Sequence, residues 1–185
     1  MHSINVVAIN RETESEVDIV DIVEYAKRYF PTEAWDEIRY LGKLNLEHDV
    51  KVLVDKQCLA GFLFEKLIQK FRKIIDQSGL KSLLLGITSD PIVATSYFFD
   101  NNTFKRAVYL VHDYVTEKLG VVSLFCVDEE SSSKVVAHGL GHNKGLRHHE
   151  KPADLMHPQL LRLPRLQVNG FCKLCLRELT ENKNS

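Results

Sequence analysis

Apolar residues recur along this chain with a period that switches between two and about three and a half, which predicts strands and helices in alternation. Ile4 to Asn10 (INVVAIN) reads as a strand, and Glu14 to Tyr29 as a helix with Val17, Val20, Val23 and Ala26 in apolar register and Pro31 as its stop. Arg39 to Leu44 is a short strand, and Val50 to Val54 another or its continuation. Cys58 to Asp76 has the spacing of an amphipathic helix through Leu59, Phe62, Leu63 and Leu67, ended by Gly79. Leu80 to Thr88 is almost entirely apolar, as a strand covered on both faces must be. Ala107 to Tyr114 and Val121 to Val127 form two further strands joined around Glu117 to Gly120, a connection of hairpin length. Asp128-Glu-Glu-Ser then starts a helix carrying His138 and His142, its acidic groups well placed at the positive end of the helix dipole. This order predicts a three-layer α/β domain with a mixed, mostly parallel sheet that includes one antiparallel strand.

Composition narrows the setting. With 185 residues, 44% of them hydrophobic, the chain can bury a substantial core without disulfides, so a single domain over 1–185 is expected. Within it, 1–145 forms the α/β part with the helix carrying His138 and His142, 146–179 an irregular C-terminal part, and 180–185 a polar tail. A formal net charge of -1 offers no electrostatic reason for a nucleic acid or an anionic membrane as partner. Four cysteines, two of them isolated at Cys58 and Cys126, suit a reducing compartment. No secretory leader or membrane span is visible, so a soluble cytoplasmic monomer is expected, and the Asn101-Asn-Thr103 sequon reads as chance.

The chemistry concentrates in His138-Gly-Leu-Gly-His142-Asn-Lys-Gly145-Leu-Arg-His148. His138 and His142 are four apart, so on a helix they lie one turn above each other and can share an ion. A third nitrogen must come from a chain that has left the helix and turned back. Gly145 suits that exit, because glycine readily adopts the left-handed conformation found just past helix ends. Three neutral imidazoles leave a tetrahedral zinc ion one open position for water.

This segment resembles the archaemetzincins, a family of metzincin-type zinc metallopeptidases. The resemblance covers residues 135 to 179 and includes Met156, eight residues after His148 where the family's Met-turn falls, and Cys172-Lys-Leu-Cys175. It implies a second, structural zinc, with His149 and Asp154 standing where the family has its first two cysteines. Both residue types are acceptable zinc donors, so a mixed His149, Asp154, Cys172, Cys175 site is expected. Residues 150 to 171, which contain Pro152, Pro158 and Pro164, should wrap the lower part of a cleft as an irregular loop ordered by that ion. Met156 should form a hydrophobic base beneath the metal. The resemblance also places Ala107 to His112 as the antiparallel upper edge of the cleft, with Val108, Leu110 and His112 contacting an extended peptide or protein by strand addition. A thioredoxin-like role for the Cys-x-x-Cys pair is disfavoured, because no strand and helix are expected around it.

Gly139 departs from the resemblance. Metzincins carry Glu directly after the first histidine to take a proton from the metal-activated water. General-base assistance typically contributes ~10²- to 10⁴-fold to a rate. Glu150 and Asp154 lie beyond the third histidine, and no spacing argument brings either to the water. Three readings stay open: a natural pseudo-peptidase that binds peptide or zinc without turnover, a slow hydrolase using the metal alone or an unrecognised base, or a chain deliberately altered at this position. Gly139→Glu should raise hydrolysis without harming the helix, since it removes an interior glycine.

Overall fold

The computed structural model describes residues 3–10, 17–101, 103–151, 153–158, 160 and 168–181. The elements in chain order are β1 (Ile4–Ile9), α1 (Val17–Lys27), β2 (Ile38–Leu44), β3 (Val50–Val54), β4 (Gln57–Leu63), α2 (Phe64–Ser78) and β5 (Leu83–Thr88). They continue with β6 (Ile92–Asp100), β7 (Thr103–Leu110), β8 (Asp113–Val115), β9 (Leu119–Ser123), α3 (Glu129–Asn143) and α4 (Lys173–Glu181). A five-stranded sheet runs in the order β2-β1-β5-β9-β8, parallel throughout except for β8, which pairs antiparallel with β9. This is the mixed, mostly parallel sheet of an α/β fold.

Two cores cover its faces, and strand alternation decides which side chain enters which. Ile4, Val6 and Ala8 of β1 and Leu83, Leu85 and Ile87 of β5 face α1 and α3, meeting Ile19, Val23, Val136 and Leu140. Val7, Ile9 and Leu84 point the other way, onto Leu67, Ile68 and Phe71 of α2. Three layers result. Both faces being covered is the physical reason β1 and β5 are apolar at every position but one or two.

Several elements differ from the sequence expectation. Cys58–Leu63 belongs to strand β4, and the helix starts only at Phe64. The cause is a two-residue hairpin: Val54 pairs with Gln57, and Asp55 and Lys56 both take positive φ (47° and 67°). Such a turn usually advertises itself with glycine, and here it does not. Strand β6 has no counterpart in the sequence reading; it joins β3, β4 and β7 in a second, four-stranded sheet of order β3-β4-β6-β7. The run Ala107 to Tyr114, expected as one strand, is divided between the two sheets, with β7 ending at Leu110 and β8 beginning at Asp113. The hairpin around Glu117 is therefore β8–β9, closed by Thr116 and Leu119. The first residues of the expected N-terminal helix, 14–16, lie outside those described, as do Pro152, Pro164 and the last four residues of the tail. Among the described residues, no helix is long and apolar enough to cross a membrane.

The central strand leaves no room at Gly86. A Cβ there would run into the Phe71 ring and lie 2.8 Å from Ile9 Cδ1. Gly86→Ala should therefore lower unfolding free energy by about 1–3 kcal/mol, the usual cost of overpacking. Adding Phe71→Leu should return part of that loss in a urea titration.

Candidate metal centre

Helix α3 is built to hold its histidines still. Asp128 caps it, its carboxylate accepting the Ser131 amide at 2.8 Å, and Val135, Val136, Ala137 and Leu140 bury its inner face. At its other end Asn143 Nδ2 donates to the backbone oxygens of Thr116 and Glu117, which ties the helix to the β8–β9 turn. The chain leaves through Gly145 at φ 87°, with Leu146 N donating to Gly141 O at 3.0 Å, and turns back toward the helix with His148.

The three imidazoles converge. Nε2 of His142 lies 3.2 Å from Nε2 of His138 and 3.1 Å from that of His148, and the remaining pair is 3.1 Å apart. A tetrahedral zinc ion with Zn–N bonds of about 2.0–2.1 Å sets its nitrogens roughly 3.3 Å apart, so the group matches the edges of one coordination polyhedron. Two rings are also held in the right tautomer. His138 Nδ1 faces the Leu155 carbonyl and His142 Nδ1 the Leu146 carbonyl, the latter at 3.1 Å. Each Nδ1 then carries the proton and each Nε2 a free lone pair. Burial, as the largest cause, lowers the pKa of all three histidines, with the neighbouring imidazoles adding to it for His142 and His148. They are neutral donors at pH 7.

A second group forms one layer below. His149 Nε2 lies 3.1 Å from Cys175 Sγ, 3.7 Å from Cys172 Sγ and 3.3 Å from Asp154 Oδ1, and the two sulfurs are 3.8 Å apart. Zn–S bonds of about 2.3 Å put two thiolates roughly 3.8 Å apart, so this set too fits a tetrahedral zinc. Asp154 does more than offer an oxygen. Only 1% exposed, it accepts the Met156 amide at 2.6 Å and also the Cys172 amide, binding the turn after His149 to the cysteine segment. His149 is the weakest member: its Nδ1 receives the Lys151 amide at 3.2 Å, so no carbonyl holds it in the metal-binding tautomer. Burial, assisted by the Asp154 carboxylate, pushes the Cys175 thiol up to about 12. A cation among the donors reverses that, since a coordinated thiol is deprotonated. The Cys-x-x-Cys does open a helix, α4, contrary to expectation, although among the described residues no strand leads into it.

Met156 is fully buried beneath α3. Its Sδ lies 2.7 Å from where a Cβ on Gly141 would stand, with Phe171 at 3.3 Å, so Gly141 is what lets this turn come under the histidines. A cavity of about 430 Å³ opens beside the three rings, lined among the described residues by Asp113, Tyr114, Val115, His138, His142, His148 and Pro158. Val108, Leu110 and His112 are not part of it. Val108 and Leu110 sit on β7, in the other sheet, and His112 turns its Nδ1 to the Ser123 carbonyl at 3.3 Å. The antiparallel strand bordering the cleft is β8, which begins just beyond the segment the sequence reading assigns to that edge. A larger cleft of about 1160 Å³ lies at the opposite end of α3, around Asp21, Tyr25, Asp128 and Glu129, away from the histidines.

One residue of the cavity has no precedent in the sequence reading. Asp113, its side chain 7% exposed, places Oδ1 3.9 Å from His138 Nε2. Burial raises its carboxyl to about 6, with His142 and His112 pulling the other way. A signal was available, an acid flanked by β-formers in Val111-His-Asp113-Tyr-Val115, but it lay within one long predicted strand and gave no reason to be singled out.

No protein-family model matches the chain, and no curated protein does. Solved structures do. An archaemetzincin from Methanopyrus kandleri superposes with a TM-score of 0.66 at 20% identity, over 100% of this chain and 96% of its own. The chain has the archaemetzincin fold. A zinc-dependent peptidase from Methanocorpusculum labreanum gives 0.61 at 16% identity over 95% and 99% of the two chains. An archaemetzincin from Archaeoglobus fulgidus, complexed with malonate, gives 0.56 at 13% identity over 95% and 99%. Agreement over nearly the whole of each chain extends the likeness well beyond residues 135 to 179, to the strands and helices that carry the archaemetzincin fold.

The helix around residue 139 is closed on its β8 side. A Cβ there would lie 2.8 Å from Val115 Cγ2 and 3.4 Å from Asp113 Oδ2. Val115 is β-branched and buried, so it gives little. This overturns the expectation that Gly139→Glu is harmless: it should cost about 1–3 kcal/mol as overpacking, and Val115→Ala in the same chain should relieve it in thermal melts. The two groups should also load metal with different pH dependence. The lowered imidazole pKa values mean that His138, His142 and His148 lose almost no protons on binding zinc at pH 7, so their affinity holds until pH falls below about 6.5. Cys175, protonated below about 12, must release its proton. Affinity of the second group should therefore fall about tenfold or more per pH unit between pH 8 and 6.5, read by competition with a chelator of known affinity.

Proposed function

We propose that the chain is a zinc-dependent hydrolase of the peptidase type, with its reaction centre at His138, His142 and His148 and a structural zinc on His149, Asp154, Cys172 and Cys175. The observation carrying this reading is the convergence of three Nε2 atoms at 3.1–3.2 Å beside an open cavity, two of them with their tautomer set by carbonyls. His138, His142 and His148 would hold a zinc ion there, which would supply a water of lowered pKa, about 7, and polarisation of a substrate carbonyl. The protein's own contribution is to hold three neutral donors, to leave one side open, and to offer an edge. Among the described residues β8 pairs only with β9, so its free flank can receive an extended peptide by strand addition. The similar solved structures, archaemetzincins and a zinc-dependent peptidase, support this chemistry.

A second reading is a zinc-dependent peptide-binding protein without turnover, and Gly139 is the observation that favours it. The helix puts no carboxylate where the metzincin glutamate stands.

Elemental analysis of the purified protein should find two zinc ions per chain. Cys172→Ser with Cys175→Ser should remove one, and His138→Gln with His142→Gln the other. Cleavage of an unstructured peptide library should disappear with the first zinc and return on reloading. A protein that takes up no zinc at the histidines ends the proposal; one that is loaded and retains peptides uncleaved supports the binding reading.

A further inference from the structure

We propose that Asp113, on the edge strand β8, is the proton acceptor of this centre, supplying from the strand the carboxylate that the helix lacks at position 139. The inference rests on the hydrolase reading above. Its basis is placement. A side chain growing from residue 139 of α3 heads directly for β8, where its Cβ would stand 2.8 Å from Val115 Cγ2, 3.4 Å from Asp113 Oδ2 and 3.5 Å from Asp113 Cβ. A Cβ here would crowd a Val115 methyl and touch the Asp113 carboxylate, so the acid on β8 stands directly beside the position where the helix has Gly139.

The distances put that acid beside the metal position without making it a ligand. Asp113 Oδ1 is 3.9 Å from His138 Nε2, longer than the roughly 3.3 Å edge joining two ligands of one tetrahedral zinc. Nor does any oxygen of Asp113 join the set of donor atoms that lie within 4.8 Å of one another. The carboxylate lines the cavity at 7% side-chain exposure, and among the described residues no hydrogen bond within the protein engages it. His138 is its near titratable neighbour, at 3.9 Å, so a carboxylate lining the cavity stays within reach of what enters. Both other acids of the segment are committed or distant. Asp154 accepts the Met156 and Cys172 amides, and Glu150 does not border the cavity.

In the reaction a water oxygen forms a bond to the scissile carbonyl carbon while one water proton passes to an Asp113 oxygen. The carbon–nitrogen bond then breaks with its electron pair going to nitrogen. The proton held by Asp113 follows to that nitrogen, so that peptide and water become a carboxylic acid and an amine. One carboxylate serves as base and then as acid.

The test compares the full-length, zinc-loaded protein with Asp113→Asn, which keeps size and polarity and removes the proton acceptor. Two probes read the site apart from turnover: acetohydroxamic acid, which gives up a proton as it binds zinc, and azide, which has none to give. In Asp113→Asn the zinc content and affinity should stay within about threefold of wild type, because Asp113 is not a ligand. Azide should bind at least as tightly, acetohydroxamate at least about tenfold more weakly, and peptide cleavage should fall by ~10²- to 10⁴-fold. Asp113→Ala provides an independent arm, since formate entering the vacated space should restore part of its turnover. Unchanged hydroxamate affinity, unchanged turnover, or loss of zinc from the histidines in Asp113→Asn would each overturn the inference. If the wild type binds zinc and cleaves nothing, the hydrolase reading fails, while the hydroxamate difference still decides whether Asp113 acts on a proton at the metal.

Discussion

Helix α3 lies closer to both of its neighbours than a helix bearing side chains all round could, and the metal centre depends on that closeness. On one side Gly139 meets Val115 and Asp113 of β8; on the other Gly141 meets Met156 and Phe171. Interior glycines cost a helix about 0.8–1 kcal/mol each relative to alanine. Here the cost accompanies a tight three-way contact. Side chains of the strand and of the Met156 turn rest directly against the helix at these glycines, and Asp113, His138, His142, His148 and Pro158 line one cavity of about 430 Å³. Interiors this dense transmit displacement, and small shifts of β8 or of the turn would move the ring nitrogens relative to one another.

The segment after His148 is held by a different means. Leu155, Met156, Leu160 and Phe171 are buried in the same core as α3, and one buried carboxylate ties the backbone around them. Asp154 accepts the amides of Met156 and Cys172 and reaches His149 Nε2 at 3.3 Å. The carbonyl of the neighbouring residue, Leu155, receives Nδ1 of His138. The two metal groups are therefore mechanically joined: the residue that serves the second group sits beside the residue that orients the first. Asp at this position is a donor that can hold metal and backbone together. A carboxylate with two oxygens can do both at once.

The three-histidine group and its spacing are legible in sequence because helix periodicity is local. Two histidines one turn apart and a glycine before the third are arithmetic on a rigid rod. The second group can be assembled only through the family resemblance, since its four residues span a loop whose path no periodicity describes. Strand β4 reads as helix because its apolar residues satisfy both periods over a few positions, and its turn, Asp55-Lys56, lacks the glycine that would settle the matter. The peptide-contact candidates Val108, Leu110 and His112 lie outside the cavity beside the histidines for a topological reason. One run of β-forming residues is cut between two sheets near Val111, and nothing in its hydrophobic pattern marks the cut.

By itself the sequence determined the alternation of strands and helices, the mostly parallel sheet, the cap of α3 at Asp128 and the metal-ligand register on that helix, all of which follow from spacings of a few residues. Tertiary structure alone decided what occupies the place opposite Gly139. Residues 113 and 139 are far apart in the chain, and they meet only because β8 folds back as the antiparallel edge of the sheet against α3. A missing carboxylate is visible in a motif. Its replacement from another element is not, because proximity across a sheet edge is a property of packing.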